Sequence, residues 1–204
     1  MKIGFIAMSG VRAHNAELTK LGLTLPGFVD RNRIIASMPS LSLLTLAAFT
    51  PKKFEVEYHE VADLNKCPEL PDDFDLVAIT SFSAQIFEAY RLADRFRARN
   101  IPVVLVGLHV SARPEEAKEH CTSVVIGEGE PLWPLVLQDF ERGSLQPYYR
   151  QNPAGLYDLN ESPVPRYDLL DSTRYNRLTV QTSRGCPHKC AFRQFDPFDV
   201  ALQS

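Results

Sequence analysis

Several features that would settle the class of a protein are scarce in this sequence. Its four cysteines among 204 residues are too few and too unevenly spaced for a disulfide framework. No stretch approaches the ~18 apolar residues that a membrane span needs, and the interrupted N-terminal stretch is not a signal peptide. The formal net charge of −3 gives no electrostatic reason to expect nucleic acid or a membrane as a partner. These absences predict a cytoplasmic protein and leave its oligomeric state open.

The sequence does contain short apolar runs that alternate with segments of helical periodicity. Runs of this length and pattern are typical of strands, and they occur at residues 2–8, 54–61, 75–82, 101–107 and 123–127. Helices are predicted at 39–49, with Ser37 as the expected N-cap, and at 84–100, 112–121 and 130–143. The alternation predicts an α/β fold, a doubly wound five-stranded parallel sheet with helices on both faces.

The composition changes after residue 143 and divides the chain into three parts. Residues 1–143 hold the predicted sheet domain. Residues 144–177 are rich in proline, tyrosine, asparagine and aspartate, which predicts a linker with little regular structure. Residues 178–204 begin with an alternating segment, 178–183, that predicts a further strand, and continue into a loop around two cysteines.

Small and polar residues follow the predicted strands of the sheet domain. Ligands of open parallel sheets bind in the crevice beyond the carboxyl ends of the strands, so we expect a small-molecule cofactor to contact these residues. The alternative is that they are the turn residues of any doubly wound sheet. The predicted cofactor-binding residues are Ser9, Gly10, Ser81, Ser83, Gly107, His109, Gly127 and Gly129.

Two carboxylates, Glu128 and Glu130, stand on either side of Gly129. The spacing is compatible with a functional pair of carboxylates. The alternative is a helix N-terminus, where Glu130 interacts favourably with the helix dipole.

The strongest local signal is the segment SRGCPHKCAF at residues 183–192. It contains two cysteines, Cys186 and Cys190, separated by three residues on a loop that leaves the predicted strand. Thiolates are the preferred ligands of iron–sulfur clusters, and glycine and proline shape a loop that turns both sulfurs toward one point. Cys186 and Cys190 are therefore the predicted metal ligands, and the alternative is a pair of ordinary thiols.

The segment SRGCPHKCAF resembles the start of the cluster motif of radical S-adenosylmethionine proteins, Cys-x3-Cys-x2-Cys. The resemblance implies a 4Fe-4S cluster held by three thiolates, S-adenosylmethionine bound to the open iron, and a TIM-like barrel whose first strand precedes the motif. This sequence departs from the motif at the third ligand, where Arg193 stands. A guanidinium has no lone pair free to bind a metal, so we expect a truncated or frameshifted chain that holds no stable cluster.

A second resemblance covers about residues 1–143. The segments PSLSLLTLAA, TSFSAQ, VGLHVSARPEEA and SVVIGEGE resemble, in this order, the flavodoxin-like cobalamin-binding domain that precedes many radical S-adenosylmethionine barrels. The resemblance implies that cobalamin lies over the strand ends, with Ser81 and Ser83 offering hydroxyls to its nucleotide tail and Gly107 allowing a close approach. The Asp-x-His-x-x-Gly loop of other cobalamin proteins is not found after residues 2–8.

Together these features predict a cobalamin-dependent radical S-adenosylmethionine protein, of methyltransferase or Fe–S oxidoreductase type, that is inactive in this form. The alternative is a non-catalytic cobalamin-binding module, or one in which the crevice is vestigial. A response-regulator-like domain would require acidic residues at the ends of the first and third strands, where Ser9 and Ser81 stand.

Overall fold

Six parallel strands form the centre of the fold, in the order β2-β1-β3-β4-β5-β6. A computed structural model describes residues 1–8, 39–67, 70–152, 157–171, 175 and 178–184. The strands are β1 (Lys2–Met8), β2 (Glu55–Val61), β3 (Leu76–Ser81), β4 (Val103–Val106), β5 (Ser123–Ile126) and β6 (Tyr148–Arg150). The first five confirm the predicted strands and the parallel α/β class.

The sixth strand corrects the prediction of a five-stranded sheet. It pairs with β5 in parallel, from Val124 opposite Tyr148 to Ile126 opposite Arg150, and it lies among the residues interpreted as a linker. Three residues are too few to produce a recognisable alternation. The strand forms because Tyr149 buries its ring in the hydrophobic core beside it.

Neighbouring residues along the central strands face opposite sides of the sheet, as the strand period of two requires. Ile6 and Ile79 belong to one hydrophobic cluster, whereas Phe5 and Ala78 belong to the other. Because both faces are covered, β1, β3, β4 and β5 read as continuous apolar runs. Helices therefore pack on both faces, which confirms the doubly wound arrangement.

Five α-helices are present in the described part of the chain. They are α1 (Leu41–Phe49), α2 (Ile86–Arg97), α3 (Leu108–Ala112), α4 (Pro114–His120) and α5 (Trp133–Glu141). Residues of α2, α3 and α4 pack in the first cluster, and residues of α1 and α5 pack in the second. None of these helices is long and apolar enough to cross a membrane.

Two helix boundaries differ from the prediction. The N-cap of α1 is Ser40 and not Ser37, since the Ser40 hydroxyl accepts a hydrogen bond from the amide of Leu43. The helix predicted over 112–121 is α4, which begins at Pro114, a residue that suits the first turn of a helix. The preceding helix α3 was not predicted, and it ends before Pro114, which has no amide hydrogen to continue it.

The described residues between 157 and 184 run back toward the carboxyl edge of the sheet. They contain two single turns of 3-10 helix, at Leu159–Glu161 and Tyr167–Leu169. Residues 178–183, predicted as a barrel strand, have no regular secondary structure, and only Arg184 makes a single bridge. We refer to the described residues between 157 and 184 as the return segment.

Candidate functional site

A crevice of about 970 Å³ lies beyond the carboxyl ends of four strands, β1, β3, β4 and β5. Residues 39–42 at the start of α1 form part of its wall, and residues 179–184 of the return segment form another part. Ligand pockets span roughly 300 to 1,000 Å³. The crevice therefore has the size and the position in the sheet that a large ligand requires.

The predicted cofactor-binding residues that the structure describes lie together at the crevice. These residues come from three different strand ends, and all of them line the crevice: Ser81, Ser83, Gly107, His109, Gly127 and Gly129. Four other predicted residues lie outside the described residues: Ser9, Gly10, Cys186 and Cys190. The contact of each residue with a cofactor remains a prediction.

Gly107 has a structural reason to be glycine. Its φ of +118° is one that residues with a side chain rarely adopt. A Cβ atom at this position would lie 2.8 Å from Oγ1 of Thr80. That hydroxyl is fixed, because it donates a hydrogen bond to the carbonyl of Val106. The geometry of the turn therefore accounts for glycine at this position. Because Gly107 has no side chain, the backbone of the turn itself lines the crevice.

The buried hydroxyl of Ser111 joins two of the strand ends. It donates a hydrogen bond to the carbonyl oxygen of Gly107 at 2.9 Å and accepts one from the amide of Gly127 at 3.0 Å. The carboxyl ends of β4 and β5 are therefore held at a fixed spacing. The sequence carries no signal for this role, since a serine on a short helix is ordinary.

His109 has one ring nitrogen without a hydrogen-bond partner. Its Nδ1 lies 2.9 Å from the hydroxyl of Ser83. Its Nε2 is buried and lies 3.5 Å from a carboxylate oxygen of Glu116, without making a hydrogen bond. Leaving a buried polar atom without a hydrogen bond costs free energy.

Exposed apolar side chains surround the crevice. Phe82 is 62% exposed, Leu108 is 84% exposed and Val180 is 71% exposed, and all three line its wall. Clustered exposed apolar residues mark binding surfaces more often than scattered ones do. The arrangement suits a ligand with an extensive apolar surface and a few polar groups.

Arg184 connects the return segment to the turn after β5. Its Nη1 donates to Glu128 at 2.7 Å, and its Nη2 donates to Glu130 at 2.5 Å. The two carboxylates of the sequence analysis thus share one cation. Sequence reasoning missed this role of Arg184, although its opposite charge was the available signal.

The pKa of Glu128 is lowered despite its partial burial. Burial alone would raise the pKa of this carboxyl group. Hydrogen bonds from Arg184, from the amide of Tyr157 and from the side chain of Gln151 outweigh that effect. Glu128 is therefore a charged anchor and not a proton donor at neutral pH.

No cluster of three or more His, Cys, Asp or Glu side chains suited to a metal ion occurs within the described residues. Two cysteines there, Cys67 and Cys121, are free thiols that lie apart from the crevice walls. The crevice itself combines polar groups with exposed apolar surface.

The fold is an open parallel α/β domain with a crevice at the carboxyl edge of its sheet. No family model and no solved structure matches the chain at a significant level. The curated relatives that match are methyltransferases by name, and the chain is homologous to them.

Three of these relatives illustrate the similarity. Bacteriochlorophyllide d C-8(2)-methyltransferase of Chlorobaculum tepidum is 32% identical over 164 residues, 74% of this chain and 35% of that protein. Bacteriochlorophyllide d C-12(1)-methyltransferase of the same organism is 30% identical, over 76% of this chain and 35% of that protein. Hopanoid C-2 methylase of Rhodopseudomonas palustris is 28% identical, over 78% and 30%. The chain spans about a third of the length of these relatives.

Proposed function

We propose that this chain is the cobalamin-binding part of a radical S-adenosylmethionine methyltransferase. The observation that carries the proposal is the crevice, where six predicted cofactor-binding residues from three strand ends meet. Homology to three proteins that are named methyltransferases or methylases supports the type of reaction. Bound cobalamin supplies a cobalt atom that carries the methyl group.

The residues of the crevice fit such a cofactor. The hydroxyls of Ser81 and Ser83 line the crevice. The Ser81 hydroxyl donates to the carbonyl of Phe82 and the Ser83 hydroxyl pairs with Nδ1 of His109, and the oxygen of Ser81 keeps a lone pair that can accept a hydrogen bond from a polar group of the nucleotide tail. Phe82 and Leu108 offer apolar surface to the edge of a corrin ring. His109 lines the same crevice, with its Nδ1 beside the hydroxyl of Ser83.

Titration with hydroxocobalamin, followed by equilibrium dialysis and visible absorbance, tests the proposal. We expect saturable binding of one equivalent. Leu108→Glu places a charge on the crevice wall and is expected to raise the dissociation constant at least about tenfold, a change of about 1.4 kcal/mol. Leu135→Glu is the matched control, because Leu135 is 50% exposed on α5 and does not line the crevice. Absence of binding, or equal weakening by both variants, contradicts the proposal.

The double variant Ser81→Ala/Ser83→Ala tests the polar contacts of the same site. We expect it to weaken hydroxocobalamin binding by several-fold, since a polar ligand group would lose its partners. Ser144→Ala, in the exposed loop after α5, is expected to leave the binding unchanged. A double variant that binds as tightly as the original chain would remove these hydroxyls from the site.

One feature of the sequence favours a second candidate, a cobalamin-binding module without cluster chemistry. Cys186 and Cys190 supply two thiolates, and Arg193 stands where the motif has its third cysteine. Two thiolates do not fit a cluster that requires three, so no radical step is derived for this chain. Anaerobic iron–sulfide reconstitution of the chain and of Arg193→Cys separates the candidates. Iron uptake by Arg193→Cys alone supports the lost-ligand interpretation, and four irons bound by the unaltered chain contradict it.

A further inference from the structure

We propose that Arg184 is a positioning residue, which fastens the segment leading into the cysteine motif onto the carboxyl edge of the sheet. Its role as a cofactor-positioning residue rests on the proposed function, whereas the fastening itself does not. The contacts of Arg184, the support of its partners and the exposure of its neighbours carry the inference.

The contact joins parts of the chain that are distant in sequence. Arg184 lies 56 residues from Glu128 and 54 residues from Glu130. The side chains are largely shielded from water, with exposed fractions of 24% for Arg184, 11% for Glu128 and 9% for Glu130. Charged hydrogen bonds that are shielded in this way are stronger and less screened by salt than surface pairs.

Glu128, one of the two acceptors, is held in place by hydrogen bonds other than those from Arg184. One oxygen of Glu128 accepts hydrogen bonds from the side chain of Gln151 at 2.6 Å and from the amide of Tyr157 at 2.9 Å. The amide of Glu128 in turn donates to Gln151 at 2.8 Å. Because these bonds hold Glu128 in place, its other oxygen presents a fixed target to Arg184.

The residues just before Arg184 bury little apolar surface. Leu178 is 54% exposed and Val180 is 71% exposed. Tyr167 donates a hydrogen bond to the carbonyl oxygen of Thr179 at 2.7 Å, but this contact lies within the return segment. Within residues 178–184, the guanidinium of Arg184 supplies two charged hydrogen bonds to the turn after β5, so we expect its removal to weaken the attachment of this segment.

Arg184 stands immediately before the cysteine motif, so its attachment affects where that motif begins. Cys186 follows Arg184 by two residues, and two residues span at most roughly 7 Å of chain. Arg184 itself lines the crevice, together with both glutamates. Fastening Arg184 thus holds the residue two positions before the first cysteine of the motif at the wall of the proposed cobalamin site.

Limited proteolysis of the free chain tests the inference. Thermolysin cleaves before apolar residues, so the rates of cleavage at Leu178 and Val180, followed by mass spectrometry, report the release of this segment. We expect Arg184→Gln to raise these rates at least about tenfold, while cleavage within the sheet stays slow. Arg166→Gln is the matched control, because Arg166 belongs to the same segment but pairs with Asp168 only two residues away. It is expected to leave the rates unchanged.

A conservative variant separates positioning from bulk stability. Arg184→Lys keeps the charge but lacks the planar fork that reaches two carboxylates, so we expect an intermediate cleavage rate. Unchanged cleavage at Leu178 and Val180 in Arg184→Gln overturns the inference. Equal acceleration at every site, which would indicate loss of global stability, also overturns it.

A further variant covers the case in which Arg184→Gln does not fold because two shielded carboxylates lose their partner. The triple variant Glu128→Gln/Arg184→Gln/Glu130→Gln removes all three charges. It is expected to release the segment and to keep a urea midpoint close to that of the original chain. Slow cleavage in a folded triple variant overturns the inference.

Hydroxocobalamin titration of the same variants distinguishes the failure of the two proposals. If the original chain binds no cobalamin, the proposed function fails, and the cleavage rates still decide the role of Arg184. If the original chain binds cobalamin and Arg184→Gln cleaves at the original rate, the positioning role fails and the proposed function stands.

Discussion

The sheet and the return segment are held in place by different forces. The sheet buries two hydrophobic clusters, one on each face, that include residues of each of the five described α-helices. The return segment contacts the rest of the domain through hydrogen bonds, such as that from the amide of Arg166 to the carbonyl of Leu44 on α1 and those from Arg184 to its two glutamates. It also makes apolar contacts, such as that of Leu169 with the second cluster. Burial dominates in the first region, and hydrogen bonds and charge contribute more in the second, so the two regions should respond differently to substitution and to pH.

The largest effect is expected from Trp133 in the core of the sheet. Its side chain is fully buried, lies against Phe5 and donates a hydrogen bond to the hydroxyl of Thr50. Trp133→Ala should lower the free energy of unfolding by about 3–5 kcal/mol, since it leaves a large cavity in the core. Urea denaturation measures the loss. Leu135→Ala, on the exposed side of the same helix, should change it by less than about 0.5 kcal/mol.

A smaller loss is expected at the turn that shapes the crevice. Gly107→Ala introduces a Cβ atom at φ +118° and 2.8 Å from Oγ1 of Thr80, which should cost about 1–3 kcal/mol. Gly143→Ala provides the comparison, because Gly143 also has a positive φ, +67°, but open space around it. Its cost should be about 1 kcal/mol. Equal costs in urea denaturation would mean that the contact with Thr80 contributes nothing.

Acid should loosen the return segment before it unfolds the sheet. The pKa of Glu128 is lower in the folded chain than in the unfolded one, because hydrogen bonds from Arg184 and others outweigh its burial. A lowered pKa stabilises the folded contact fully above the ordinary pKa of a glutamate, and the contribution disappears as the pH falls through the lowered value. Cleavage at Leu178 and Val180 by an acid-active protease should therefore rise in that range, while far-UV circular dichroism stays constant.

Glu128→Gln is the control for this acid response. It removes the titrating group, so the cleavage rate at Leu178 and Val180 should be raised already at neutral pH and should change less on acidification. A variant with the same acid response as the original chain would assign the effect to another carboxylate.

The two regions also differ in how well the sequence predicts them. Strands β1, β3, β4 and β5 are recognisable because burial on both faces requires continuous apolar runs, and ligands of such sheets bind at the carboxyl ends. That rule alone predicts that Ser83 and His109 line one crevice, as they do in the structure. Strand β6 was missed because Tyr148–Arg150 is held by its neighbour β5 and has no pattern of its own.

Contacts between distant residues explain the rest of what the sequence could not predict. Neither the pairing of Arg184 with Glu130, across 54 residues, nor the bridge from Ser111 to Gly127 leaves a local pattern. Each depends on where the folded sheet brings the chain. The sequence shows that Arg184 stands just before the cysteine motif. It does not show which carboxylates Arg184 contacts in the folded chain.

The smallest effect is expected at Leu169, the residue through which the return segment contacts the second hydrophobic cluster. Leu169 is half-buried against the second hydrophobic cluster, whereas Leu43 is fully buried within it. Leu43→Ala should cost about 2–5 kcal/mol, and Leu169→Ala only about 1 kcal/mol, because much of its side chain already meets water. Urea denaturation measures the free energy of unfolding of the two variants. If Leu169→Ala costs as much as Leu43→Ala, the return segment is part of the cooperative core, and the division into a region fixed by burial and one fixed by charge is wrong.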